Sequence, residues 1–264
     1  MPEGDTVYQT AKRLDKALTG QVLTSSDFRI PSLATSDLTG VTVTGTISRG
    51  KHLLTRFDNG LTLRTHLKME GTWQVHPLGS RWRRPGHTAR VILRTTTTEA
   101  VGFSVLLDLV RTTSEEDLVG HLGPDLLGPD WDADVALERL RAHPATPIGE
   151  ALLEQRNLAG IGNVFKAELC FLGKVDPLTP VGAVPDLEGM VAKARQLLEV
   201  NKDHPIRITT GDRRRGFQLW VYRRRGPCLH CGTWIVKAEQ GPPGQQRTTY
   251  WCPTCQPLLG AAED

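Results

Sequence analysis

Four of the five cysteines in this 264-residue chain carry the plainest chemical signal. Cys228 and Cys231 form one C-x2-C pair, Cys252 and Cys255 a second, with twenty residues between them. Each pair turns two thiolates to one side of a tetrahedral ion, and two such knuckles complete it. A disulfide framework is the reading for a short secreted chain; here the spacing predicts one structural Zn2+. Cys170 lies far off in an apolar segment and is expected in the core. A second signal is Ala159-Gly160-Ile161-Gly162-Asn163, between two helical stretches. Two glycines there allow a tight turn whose backbone N–H groups suit a phosphate, although plain glycine turns between helices are common.

Charge points the same way. Residues 201–264 hold ten Lys or Arg against five Asp or Glu, so they carry +5 of an overall +3 and the first 200 residues are slightly acidic. A basic end on a near-neutral body suits a polyanion, or is merely a solvated surface. Hydrophobic residues at 39% and charged residues at 23% exclude wholesale disorder. No apolar run reaches the roughly 18 residues of a membrane helix, and the acidic start lacks a signal-peptide layout. The expectation is a cytoplasmic protein with no membrane partner.

The elements that must position these groups fall into three stretches. Residues 5–18 read as a helix with Val7, Ala11, Leu14 and Leu18 on one face and Asp5 or Thr6 as cap. Residues 20–110 read as short strands, with Asp58-Asn59-Gly60 as a hairpin turn, which suggests a β-sandwich or barrel. Gly123-Pro124 and Gly128-Pro129 break the pattern and read as a linker. Helices are expected over 135–142, 148–158, 164–172 and 187–201, and a β-hairpin standing on the metal over 226–258. The expected fold class is α+β and multidomain, with boundaries at 1–123, 124–225 and 226–264.

Four separated motifs coincide in order. They are Pro2-Glu3-Gly4, Gly50-Lys51-His52-Leu53-Leu54, the pair Leu152-Leu153-Glu154-Gln155 and Gly160-Ile161-Gly162-Asn163, and Arg247-Thr248-Thr249-Tyr250-Trp251-Cys252-Pro253. Together they resemble the formamidopyrimidine-DNA glycosylase/endonuclease VIII family of base-excision repair enzymes, most of all its endonuclease VIII branch of actinobacterial type. The resemblance spans essentially the whole chain. It implies an N-terminal helix with a β-sandwich, a helical domain with a helix–two-turn–helix element, a C-terminal zinc finger, and damaged double-stranded DNA, or single-stranded or bubble DNA, in the cleft between domains. A monomer associated with the nucleoid through DNA is expected.

It also implies roles. Pro2, uncovered by removal of Met1, is the expected nucleophile at the sugar C1′. An α-amine is acidic relative to lysine, so more of it is neutral at pH 7, and an iminium formed on proline cannot lose a proton from nitrogen. Glu3 is the expected general acid/base, a role worth about 10²–10⁴-fold. Lys51, Asn163 with Gly162, and Arg247 are expected to grip the phosphates around the lesion, Lys51 and Arg247 with a part in catalysis. His66 is expected near the phosphate, and Lys68, Met69 and Glu70 flank or fill the gap left by the flipped base. Taken alone, Pro2 merely follows the start codon, Glu3 is a helix-start charge, Lys51 a solvated loop lysine and Met69 a core residue.

The family's second N-terminal glutamate is absent, with Asp5 one residue earlier than needed, which bears on the efficiency of elimination and not on its type. Two further departures bear on substrate. The aromatic void-filling partner of the sister branch is not recognisable near Val110-Arg111-Thr112, and Ile208–Arg225 is short and basic and lacks the long loop that caps 8-oxoguanine there. These two favour oxidised pyrimidines over 8-oxoguanine and formamidopyrimidines. A non-catalytic zinc-finger binding protein and a zinc-ribbon scaffold for protein partners leave Pro2 and Glu3 without a purpose.

Overall fold

The computed structural model describes residues 2–260, which form two compact units that divide between His121 and Leu122. In the first unit, α1 (Gly4–Leu18) buries Val7, Thr10, Ala11, Leu14 and Leu18. The helix begins one residue earlier than the pattern suggested. Its cap position is Glu3, in extended backbone, rather than Asp5 or Thr6. Asp5 instead turns its carboxylate to the Thr6 N–H at 2.7 Å.

Eight strands follow: β1 (Ser25–Phe28), β2 (Val43–Arg49), β3 (His52–Phe57), β4 (Leu61–His66), β5 (Thr72–Pro77), β6 (Ala89–Arg94), β7 (Thr98–Phe103) and β8 (Leu106–Arg111). They make two antiparallel sheets in the orders β1-β6-β7-β5 and β2-β3-β4-β8. One core joins α1 to both, through Leu14, Leu53, Phe57, Leu63, Trp73 and Leu93. Asp58-Asn59-Gly60 closes the β3–β4 hairpin with Gly60 at φ +76°, a backbone state that glycine enters without steric cost. α2 (Glu115–Val119) ends the unit, tied back by the Glu115 carboxylate to Arg56 and Thr62.

The second unit is helical: α3 (Ala133–Arg141), α4 (Ile148–Ala151), α5 (Asn163–Leu172) and α6 (Leu187–Asn201), then the hairpin of β9 (Val236–Gln240) and β10 (Arg247–Trp251). Residues 123–129 are bonded to it: Gly123 donates to Gln155 O, Leu126 to Ala159 O, and the Leu126 side chain is in the core. α4 is much shorter than the expected 148–158. Beyond Ala151 the polar side chains take the backbone's partners: Gln155 Nε2 donates to Leu153 O and Ile161 O, Gln155 Oε1 accepts from Gly160 N, and Asn157 Nδ2 donates to Ala151 O. The result is a short helix and two consecutive turns before α5. Among the described residues no helix is long and apolar enough to cross a membrane.

Candidate active site and metal centre

Pro2 is partly buried, and Glu3 behind it is fully buried at the N-cap of α1. The Glu3 side chain makes no capping bond to the helix. A helix-start charge would sit in water and cap or face the dipole. A carboxylate taken wholly out of solvent is costly unless it is paired or hydrogen-bonded, so Glu3 is held in place by its surroundings rather than hydrated.

Lys51 follows Gly50, whose φ of +56° lets β2 turn into β3 through two residues. The β3–β4 register sets His52 opposite His66, with ring centroids 5.1 Å apart and edge to face. Lys51, Arg64 and the His52–His66 pair form one electrostatic neighbourhood. Burial, reinforced by Arg64, His66, His121 and Lys51, holds His52 down to about 3. Burial, then Lys68, Lys51 and Arg64, holds His66 down to about 4. Both imidazoles are therefore neutral at pH 7. His66 Nδ1 accepts from Lys68 N at 2.9 Å, whereas the buried His52 Nδ1 has no hydrogen-bond partner among the described residues.

The direction gives a pH dependence. Unfolded, both histidines titrate near 6.5, so between pH 7 and pH 5 the unfolded chain takes up protons that the folded chain refuses, and stability falls on acidification. The expected result is a melting temperature that drops from pH 7 to pH 5, with the drop reduced in His52→Gln. Parallel slopes for the variant and the natural chain would show that His52 is not held neutral.

His66 leads into the turn 67–71, where Leu67 is buried and Lys68, Met69 and Glu70 are exposed. Met69 is 65% exposed, so it is not a core residue. The turn is rigid. Gly71 N donates to Leu67 O at 2.7 Å, and a Cβ at Gly71 would lie 2.3 Å from that oxygen.

In the second unit Gly162 is the N-cap of α5 and Asn163 its first residue. Asn163 Nδ2 donates to Thr248 O at 2.5 Å, beside Arg247 on β10, while Asn163 Oδ1 is buried without a hydrogen-bond partner among the described residues. One turn along the same helix, Lys166 is fully buried with Nζ on Thr249 Oγ1 at 2.5 Å. α5 thus holds the hairpin, and the hairpin leaves the Arg247 side chain exposed.

Sequence reasoning did not find Glu168. This fully buried carboxylate accepts from the N–H groups of Trp220, Val221 and Tyr222 at 2.7, 2.9 and 2.9 Å and from the Thr209 hydroxyl. It pins the otherwise irregular segment 207–222, against burial that pushes its carboxyl up. Its partners lie 41–54 residues away, so no local pattern marks it.

The ligand atoms of Cys228, Cys231, Cys252 and Cys255 all lie within 4.8 Å of one another. Cys228 and Cys255 Sγ are 4.0 Å apart, and Cys231 and Cys252 Sγ 3.4 Å. Zn–S bonds of about 2.3 Å in a tetrahedron set sulfurs about 3.8 Å apart, so the donor set fits zinc. His230 N points at Cys228 Sγ at 3.4 Å, as expected of a turn around a thiolate. Cys170 is fully buried and its thiol is pushed up to about 12, which leaves it inert.

Residues 1–106 match the formamidopyrimidine-DNA glycosylase N-terminal domain. The chain is 56% identical over 261 residues to the probable endonuclease 8 2 of Streptomyces coelicolor, covering 97% of this chain and 94% of that protein. It is 46% identical over 258 residues to the DNA-(apurinic or apyrimidinic site) lyase Nei2 of Mycolicibacterium smegmatis, covering 97% and 99%. It is 33% identical over 279 residues to endonuclease 8 of Escherichia coli, covering 97% and 100%. Among solved structures, Lactococcus lactis Fpg in complex with N7-benzyl-Fapy-dG containing DNA aligns with a TM-score of 0.79 at 23% identity, over 97% of this chain and 100% of that one. That likeness is one of fold; the sequence identities, sustained along nearly the full length of each relative, place this chain in the formamidopyrimidine-DNA glycosylase/endonuclease 8 family, on its actinobacterial endonuclease 8 branch.

Proposed function

We propose that this chain is a bifunctional DNA glycosylase/AP lyase of base-excision repair that removes oxidised pyrimidines and cleaves the strand by β,δ-elimination. The observation that carries the reading is Glu3: buried, beside Pro2, and not used to cap its helix. Removal of Met1 uncovers the Pro2 amine. The positive end of α1 disfavours its protonated form, so a larger share is neutral and able to attack C1′. The amine–C1′ bond forms as the base departs and the amine proton is lost; the C1′–O4′ bond then breaks with proton transfer to O4′, which opens the sugar, and the resulting iminium stays cationic because its nitrogen carries no proton. That charge acidifies the C2′ hydrogens, so the 3′-phosphate leaves and the 5′-phosphate follows. Glu3 moves the protons at the sugar.

The remaining residues hold the substrate. Lys51 meets the phosphate at the lesion, with the neutral His66 as a hydrogen-bonding neighbour. The exposed Met69, between Lys68 and Glu70, fills the gap left by the flipped base. Gly162, Asn163 and Arg247 grip the backbone from the second unit, Arg247 as a bidentate guanidinium. One Zn2+ on the four thiolates fixes the hairpin that carries Arg247. The segment that Glu168 pins lies within the short stretch 208–225, which supports pyrimidine lesions over those that need a long capping loop.

The test is borohydride trapping on a duplex with a single dihydrouracil, followed by peptide mass spectrometry. The expected result is a covalent adduct on Pro2 in a chain lacking Met1. An adduct on an abasic duplex alone would keep the lyase and overturn the lesion assignment. No adduct on either, despite salt-sensitive DNA binding, would overturn the enzymatic reading.

A further inference from the structure

Between Glu70 and Glu99 the chain has no acidic residue, and the β5–β6 connection there reads Arg81-Trp82-Arg83-Arg84-Pro85-Gly86-His87. Trp82 pins this loop to the face of the β1-β6-β7-β5 sheet away from the main core. Its ring meets Phe103 edge to face at 5.6 Å, and its Nε1 donates to the buried Glu99 carboxylate at 2.5 Å. Arg94 Nε takes the other Glu99 oxygen at 2.6 Å, so Glu99 is already satisfied.

Several arginines of this unit are neutralised in place. Arg29, Arg56, Arg64 and Arg94 each pair with a carboxylate. Arg81 and Arg83 are exposed and, among the described residues, have no carboxylate partner. Arg84 Nη1 donates to Glu70 O at 2.9 Å, which ties the loop to the turn carrying Met69. Exposed cations crowded together repel one another, and a neutral surface would intersperse acids. A loop held still by a tryptophan, with its cations unneutralised, suits fixed anions at a regular spacing.

We propose that the Arg81–His87 loop binds the backbone phosphates of duplex DNA flanking the lesion, on the side of the Met69 turn. The inference rests on the proposed function, because it is the entry of Met69 into the duplex that brings a loop bonded to Glu70 against the backbone. It adds a sequence-independent grip, separate from Lys51, Asn163 and Arg247.

The experiment is fluorescence anisotropy on a duplex with a tetrahydrofuran abasic analogue, titrated from 0.05 to 1 M salt. Each phosphate contact contributes about 0.9 to the slope of log K against log salt. R81A/R83A should therefore lower the slope by about 1.8, weaken binding roughly 60-fold at 0.1 M and change little at 1 M. R81K/R83K, which keeps the charge, should retain most of the slope. Equal slopes for R81A/R83A and the natural chain, with that chain still steeply salt-dependent, would overturn this proposal alone. A natural chain that neither binds nor cleaves abasic DNA would overturn the reading beneath it.

Discussion

Glu3→Gln is expected to lower strand cleavage by at least a hundredfold while binding to an abasic-analogue duplex stays within a few-fold of the natural chain. The substitution keeps the shape of a fully buried side chain and removes its ability to exchange a proton. A positioned carboxyl is worth about 10²–10⁴-fold in rate. A charge serving the helix dipole is worth about 0.3–1 kcal/mol of stability and nothing in turnover. Single-turnover cleavage and thermal melting, measured on the same preparation, separate the two. A normal rate with a lowered melting temperature would reduce Glu3 to a helix-start charge. Pro2→Gly completes the pair. It leaves a primary amine whose imine can lose its proton, so elimination should cease as binding survives. Elimination at the natural rate in Pro2→Gly would remove Pro2 as nucleophile.

Much of the frame that holds these two residues is visible in the linear chain. Apolar spacing places the buried face of α1, and α6 spans the expected Leu187–Asn201. The Asp58-Asn59-Gly60 turn was legible, and so, in principle, was its consequence. A turn fixes register, and counting outward from it sets His52 against His66. That pairing, with its two neutral imidazoles, lies next to Lys51 and was within reach of the hairpin alone.

Other features had no local signal. α4 stops at Ala151 because Gln155 and Asn157 find backbone partners that only the folded turn supplies. Propensity over 148–158 speaks for helix, and tertiary hydrogen bonds override it. The Glu168 carboxylate and the Lys166–Thr249 bond join residues far apart in the chain, on a helix whose faces are buried almost all round. Periodicity carries no information on such a helix. Trp82 is the opposite case: a tryptophan among arginines is a readable anomaly, but what it packs against is a sheet face that only the strand order discloses.

Removal of the metal should have the second large effect, and it should appear in binding rather than in chemistry. Cys252 is fully buried, and its N–H is held at 2.8 Å by Gln256 Oε1, whose Nε2 donates to Val175 O at 3.0 Å. β10 ends at the residue before it, and that strand carries Arg247, the Thr248 carbonyl that holds Asn163, and the Thr249 hydroxyl that holds Lys166. Structural zinc sites contribute about 10–16 kcal/mol of apparent free energy, as much as the whole stability of a typical domain at about 5–15 kcal/mol. The hairpin cannot keep its geometry without that contribution. Cys252→Ser is therefore expected to lose its zinc, measured by elemental mass spectrometry, and to weaken duplex binding at least a hundredfold. The helical core around Leu152, Phe165 and Leu198 has its own apolar packing and should keep its far-ultraviolet dichroism. Four thiolates leave no open position for a water, so the ion has no step in the reaction. The loss should accordingly fall chiefly on KM, and any loss of kcat left at saturating DNA would be that of the displaced Arg247. A zinc-free Cys252→Ser chain that bound DNA normally would detach the hairpin from recognition, and one that kept its zinc would remove Cys252 from the ligand set.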